Sequence, residues 1–233
     1  MPLLNTAYEN IRESLVCVAL ALKDGFKPPI SLISAMIWIV SVIGWGIVFY
    51  FVKDPIFHAL PDLPQLIPAI SEGLRYLVII VLYIALVIIT VRVSIELWLM
   101  KRIQKFCLTY YPELSLKHKS SILVSLRDAP KSAGTFLFGG LICLAIPGFG
   151  PVLLFLLMGY INVRSLMNDA LEGLVSENDR RAIIESNRLT MLLIGALLEG
   201  VVLIPIVGLF APSILGLSVC HLCMRQTKKL QRR

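Results

Sequence analysis

The sequence predicts an all-α integral membrane protein: two full transmembrane helices, two Pro/Gly-tipped helical hairpins that half-penetrate the bilayer, and an N-terminal amphipathic helix. Three observations predict it. Hydrophobic residues make up 57% of the 233 positions and charged residues only 16%, where a soluble protein carries about a quarter charged, and mean hydropathy is +0.82. Two long apolar segments are each interrupted by Ile-Pro-x-x-Gly, at Ile146-Pro147-Gly148-Phe149-Gly150 and at Ile204-Pro205-Ile206-Val207-Gly208. Basic residues crowd some connections and avoid another, which is the asymmetry that separates cytoplasmic from outer loops. Residues 1–233 read as one membrane domain.

Composition also excludes classes of function. A net charge of +7 and a pI near 9.3 do not point to nucleic acid, because no basic face interleaved with aromatics occurs. The positives flank apolar runs instead, where they face anionic lipid. The N-terminus lacks a positive start followed by a small-residue cleavage site, so no removable signal peptide is expected. Of Cys17, Cys107, Cys143, Cys220 and Cys223, four lie in apolar segments, and an odd count describes no disulfide framework. Cys220-His221-Leu222-Cys223 has metal-like spacing but no second ligand pair, so buried thiols on a helix are expected there. His58, His118 and His221 lie in separate segments and no nucleophile sits beside a base, so no enzyme, metal or cofactor is called for.

Tyr8, Ile11, Leu15, Val18 and Leu22 alternate in steps of three and four, which is one face of a helix over residues 1–24. Asp24-Gly25 ends it, glycine being common just past a helix C-terminus. Lys27-Pro28-Pro29 opens the next helix, proline needing no N–H in a first turn. Ile30 to Val52 is uncharged and long enough to span. The connection Lys53 to Gly73, with Pro55, Pro61, Pro64 and Pro68, has no positive excess and is placed outside. A second span, Leu74 to Thr90, continues as helix through Val91, Ile95, Leu99 and Phe106, with Arg92 and Glu96 one turn apart as an ion pair. Lys101, Arg102, Lys105, Lys117, Lys119, Arg127 and Lys131 then mark a cytoplasmic segment.

Asp128-Ala129-Pro130 supplies a cap and a first-turn proline for the first hairpin, 132–163. Its arms, Ser132 to Ile146 and Val152 to Val163, are too short to cross a ~30 Å core. Pro147 and Pro151 break the helix, and Gly148 and Gly150 readily take the positive φ of a reversal. A charged stretch from Arg164 to Arg188 reads as soluble helix or loop, and the second hairpin, 189–224, follows. The tail Arg225 to Arg233 is basic, which puts both termini in the cytoplasm.

Corresponding Pro/Gly interruptions in two apolar segments point to a substrate site, which makes Pro147, Gly148, Gly150, Pro205 and Gly208 candidate pore residues; plain turn chemistry is the alternative. Glu199, the one carboxylate well inside a hairpin, is a candidate for proton coupling, with a pair to an arginine or a capped polar contact near the interface as the alternative. Arg75 is an outer anchor or an anion attractor.

Taken in order, Asp128-Ala129-Pro130-Lys131, Ile146-Pro147-Gly148-Phe149-Gly150, Pro151-Val152-Leu153 and Ile204-Pro205 resemble the family of the bacterial sulfate permease CysZ and the etoposide-induced membrane proteins. The resemblance implies an oligomeric protein of the bacterial inner membrane, with partly penetrating hairpins, that admits sulfate or a related small oxyanion for cysteine synthesis. A non-transporting membrane scaffold is the competing reading. The family's Gly-[Leu/Ile]-Arg motif, associated with sulfate, falls on Gly25, Phe26 and Lys27. Lysine keeps the charge without the planar fork, and Pro28 and Pro29 remove two backbone donors from the helix start. A lysine reaching for lipid headgroups is the alternative for Lys27.

Overall fold

A computed structural model of the chain describes residues 2–60, 68–115, 148–202, 204, 208 and 210–231. Every regular element among them is helical, as the sequence predicts: α1 (Pro2–Gly25), α2 (Pro28–Ala59), α3 (Pro68–Ser94), a π-helical turn (Ile95–Leu99), α4 (Met100–Leu108), α5 (Gly150–Leu171), α6 (Glu177–Ser186), α7 (Arg188–Val202) and α8 (Ala211–Gln231). The first hairpin arm, the Asp128-Ala129-Pro130 cap, Pro147, Pro205, Cys143 and His118 lie outside the described residues, as do the Arg92 and Glu96 side chains.

α8 organises the core. Ile214, Leu217, Val219, Cys220, Leu222, Cys223 and Met224 are buried around its whole circumference, the pattern of a helix enclosed by others. It packs against α1, α4, α5 and α7. α2 and α3 pack on each other and touch the rest sparingly. Within that pair the Trp45 indole donates to Thr90 Oγ1 at 2.8 Å and the Tyr83 hydroxyl donates to the Val42 carbonyl at 3.0 Å, polar links of the kind that join helices where lipid supplies no hydrophobic drive.

Among the described residues three helices are long and apolar enough to cross a membrane, 28–59, 70–91 and 150–171, one more than the two spans expected from the sequence. The two expected spans are present but longer. α2 runs past Val52 and through Pro55 to Ala59, and α3 starts at Pro68 rather than Leu74. The extension is held by contacts between the two helices: the Phe57 and Tyr76 rings lie 5.0 Å apart and the Arg75 guanidinium stacks over Phe57 at 5.2 Å. The third is α5, whose 22 residues run straight through the expected arm end at Val163, because Val163, Leu166, Met167, Ala170 and Leu171 continue one buried face past the charges. At ~1.5 Å per residue it is about 33 Å long. The charged stretch does form α6, capped by the Ser176 hydroxyl accepting from the Asp179 amide.

The π turn follows from spacing. Val87, Val91, Ile95, Leu99, Ile103 and Cys107 are all buried and recur every four residues. In an α-helix of 3.6 residues per turn each such step drifts by about 40°. One extra residue, accommodated where the Met100 amide bonds to the Ile95 carbonyl, returns the stripe to the core.

Of the two tip glycines expected to hold positive φ, Gly148 does, at 85°. Gly150 does not. It is the first residue of α5, where Pro151 in the first turn sets helical geometry. Gly25 closes α1 without a positive φ; its missing side chain admits Ile214 of α8, which a Cβ would meet at 3.0 Å.

Candidate functional site

The candidate anion residues lie where α1 gives way to α2. Lys27 is the N-cap of α2, in extended conformation, with Pro28 and Pro29 behind it. The first available amides, of Ile30 and Ser31, both donate to the Lys27 carbonyl at 3.0 Å. The helix start therefore presents charge rather than free donors. Beside it the Phe26 ring meets Phe210 at 5.6 Å, and Gly25 lies against Ile214. The Gly25-Phe26-Lys27 group is thus brought onto the chain just beyond the second Pro/Gly tip, where the Gly208 amide donates to the Ile204 carbonyl at 2.6 Å.

Lys27 belongs to a network the sequence reading did not assemble. Its Nζ lies 2.6 Å from Asp24 Oδ1 and donates to the Tyr110 hydroxyl. The ammonium also sits over the Tyr110 and Phe106 rings, at 5.1 and 5.7 Å. Tyr110 donates to Asp24 Oδ1 at 3.1 Å, and His221 Nε2 reaches Asp24 Oδ2 at 3.3 Å. The other ring nitrogen, Nδ1, is 3.4 Å from the Tyr111 hydroxyl. One carboxylate, 3% exposed, so ties together the end of α1, the start of α2, the turn after α4, and α8.

The electrostatics follow from this geometry. Burial pushes the Asp24 carboxyl up, but hydrogen bonds from Lys27, Tyr110 and His221 and the lysine charge outweigh it and hold the pKa below the ordinary value. Asp24 and Tyr110 raise Lys27. For His221 burial dominates over the pull of Asp24, and its pKa falls below the usual 6.5. The histidine is therefore neutral at pH 7: Nε2–H donates to Asp24 and Nδ1 accepts from Tyr111. The contact is a hydrogen bond rather than an ion pair.

Below the network Cys17, Cys107, Cys220 and Cys223 are free and buried, as expected of thiols in an apolar helix packing. Farther along, Glu13 of α1 takes Arg225 at 3.2 Å and Lys229 at 2.6 Å, and Lys228 pairs with Glu113. These links bring the first and last described helices to one end of the molecule.

Glu199 sits apart, half-buried on α7, and accepts from Asn162 of α5 at 2.8 Å. One turn back on each helix, Gly159 and Gly195 cross so closely that a Cβ on Gly195 would stand 2.4 Å from the Gly159 carbonyl carbon. The crossing places Asn162 against Glu199. The alternative to proton coupling for Glu199 was a pair with arginine or a capped polar contact near the interface; the contact found is polar, but with Asn162, 37 residues away, and has no local signature. Asp24 was legible only as a helix end, and Tyr110 carried no signal in the sequence.

Neither a curated protein nor a solved structure matches the chain. Residues 17–212 match the family described as sulfate transporter CysZ/etoposide-induced protein 2.4. That span takes in the C-terminal part of α1 and all of α2 to α7, and so includes both tips and every member of the Lys27 network except His221. The chain, a multi-pass membrane protein, belongs to the sulfate transporter CysZ/etoposide-induced protein 2.4 family.

Proposed function

We propose that this protein is a permease or channel admitting sulfate or a related small oxyanion through the bacterial inner membrane for cysteine synthesis. The observation that carries the reading is Lys27, a cation at the positive end of α2, whose neighbour Phe26 rests on Phe210 beside the second tip. In this reading the oxyanion takes the place of Asp24 on the ammonium and accepts from the Tyr110 hydroxyl. The tips at Pro147, Gly148, Gly150, Pro205 and Gly208 line its path in a homo-oligomer, and Glu199 serves proton coupling. Both termini face the cytoplasm, the hairpins entering from that side; the ties from Glu13 to Arg225 and Lys229 support a shared face.

A scaffold without transport is favoured by one specific feature: Asp24 and Tyr110 already satisfy Lys27, so the network joins four elements with no ligand. Uptake of isotope-labelled sulfate by proteoliposomes containing only this protein separates the two. Saturable uptake is expected, retained by Lys27→Arg and weakened about twofold to thirtyfold in apparent affinity by Lys27→Gln, as a charge at a helix N-terminus contributes ~0.3–2 kcal/mol. Absence of uptake by the parent favours the scaffold. Equal uptake by parent and Lys27→Gln below half-saturation removes Lys27 from the path.

A further inference from the structure

The α2/α3 pair, so sparsely joined to the core, encloses a groove of about 780 Å³ between Ile33, Gly44 and Val48 on one wall and Thr90, Trp98 and Arg102 on the other. Three of its polar groups are used internally, and Ser41 adds one further hydroxyl to the lining. The Trp45 indole and Thr90 hydroxyl bond each other, and Ser94 donates to the Thr90 carbonyl at 2.8 Å. What remains for an occupant along most of the groove is hydrocarbon. At one mouth the character changes. The π turn carries Trp98 outward to 69% exposure, the place of an aromatic at a membrane interface. Arg102 follows on α4, whose Lys101, Arg102 and Lys105 are exposed and accompanied by no acid on that helix.

Dimensions choose the occupant. From Ile33 to Val48 the helix rises about 22 Å, which exceeds the ~15 Å of one leaflet's hydrocarbon. A volume of about 780 Å³ over that length leaves a cross-section of roughly 35 Å², against roughly 80–110 Å² for a helix ~10–12 Å across. A hydrocarbon chain fits within that section, whereas a helix of a second copy would lie over the groove rather than in it. The cation at the mouth then calls for an anion on the end of that chain. We propose that the groove is a binding site for an anionic glycerophospholipid, with an acyl chain along α2 from Val48 to Ile33 and the phosphate on Arg102.

Two glycines provide a matched test. A Cβ on Gly44 or on Gly46 would meet nothing within 4 Å, so both positions accept a large side chain. Two residues apart on a helix they point about 200° from each other, and only Gly44 lines the groove. Purified full-length protein is equilibrated with mixed micelles holding equal phosphatidylglycerol and phosphatidylcholine, and retained lipids are counted by native mass spectrometry. The parent and Gly46→Phe should keep phosphatidylglycerol in preference. Gly44→Phe should lose it, and Arg102→Gln should keep lipid but drop the headgroup preference about fivefold, the loss expected for one interfacial cation. Undiminished lipid on Gly44→Phe, equal loss in Gly46→Phe, or an unchanged preference in Arg102→Gln overturns the proposal. So does a Gly44→Phe variant that changes only its oligomeric mass, which would give the groove to a second copy.

Discussion

Asp24 shows what a single carboxylate in this chain can organise. Its lysine, three residues on, was visible beside the Pro28-Pro29 helix start, though as an anion or headgroup contact rather than as a partner of Asp24. Its histidine was not, since His221 lies 197 positions away and reads locally as part of a Cys-His-x-Cys run. The cost of that histidine appears in acid. His221 has a folded pKa below its ordinary ~6.5, so between those values the unfolded chain holds a proton that the folded one excludes. Stability then rises with pH through this window and falls as pH drops below about 6.5, by up to ~1.4 kcal/mol per unit. Asp24, lowered, acts in the same direction only at more acid pH, through the usual carboxylate range near 4 and below. The melting temperature of the detergent-solubilised parent should therefore drop between pH 7.5 and 5.5. His221→Gln keeps a donor for Asp24 but cannot titrate, and its melting temperature should change less over the same interval. Parallel curves for the two proteins would show that some other group sets the acid limb.

Among elements, those defined by their own residues were legible and those defined by neighbours were not. α2 and α3 followed from long apolar runs, interrupted only by Arg75 in the second, because a bilayer selects on local apolar length. Their outer ends were misjudged, since Phe57 reaches Tyr76 and Arg75 across a connection rather than within one helix. α5 was cut short at Arg164 by charge, although its buried face runs on to Leu171. The π turn had a visible signal, the four-residue spacing from Val87 to Cys107, that an α-helical template cannot use. The close crossing of α5 and α7 was equally silent, because Gly159 and Gly195 look like ordinary apolar-segment glycines until their backbones meet. A Cβ there stands 2.4 Å from backbone, which only movement of α5 from α7 can relieve. Gly195→Ala should cost about 1–3 kcal/mol through overpacking and weaken the Asn162–Glu199 bond one turn on. Gly200→Ala, with nothing within 4 Å of its added carbon, is the control. Indistinguishable thermal unfolding of the two variants would mean that the crossing relaxes without loss.

At the scale of the molecule, one helix closes the core and one pair stands largely by itself. The α2/α3 pair depends on lipid and on its own Trp45–Thr90 and Tyr83–Val42 links, whereas α1, α4, α5 and α7 share α8 as their common partner. Ending the chain before Ala211 should leave α2 and α3 inserted and the other helices open to protease, while the parent resists digestion. Equal resistance would show that the remaining helices pack without α8. The arrangement also sets a clock. α8 follows in chain order every helix it packs against, and some 190 residues separate the end of α1 from its beginning. At ~5–20 residues per second of synthesis, the ribosome holds the apolar face of α1, with Cys17 and Ala21, without its partner for roughly 10–40 seconds. Insertion of the membrane helices and closure of the core are therefore separate events in the life of each chain, and quality control meets the protein in the interval between them.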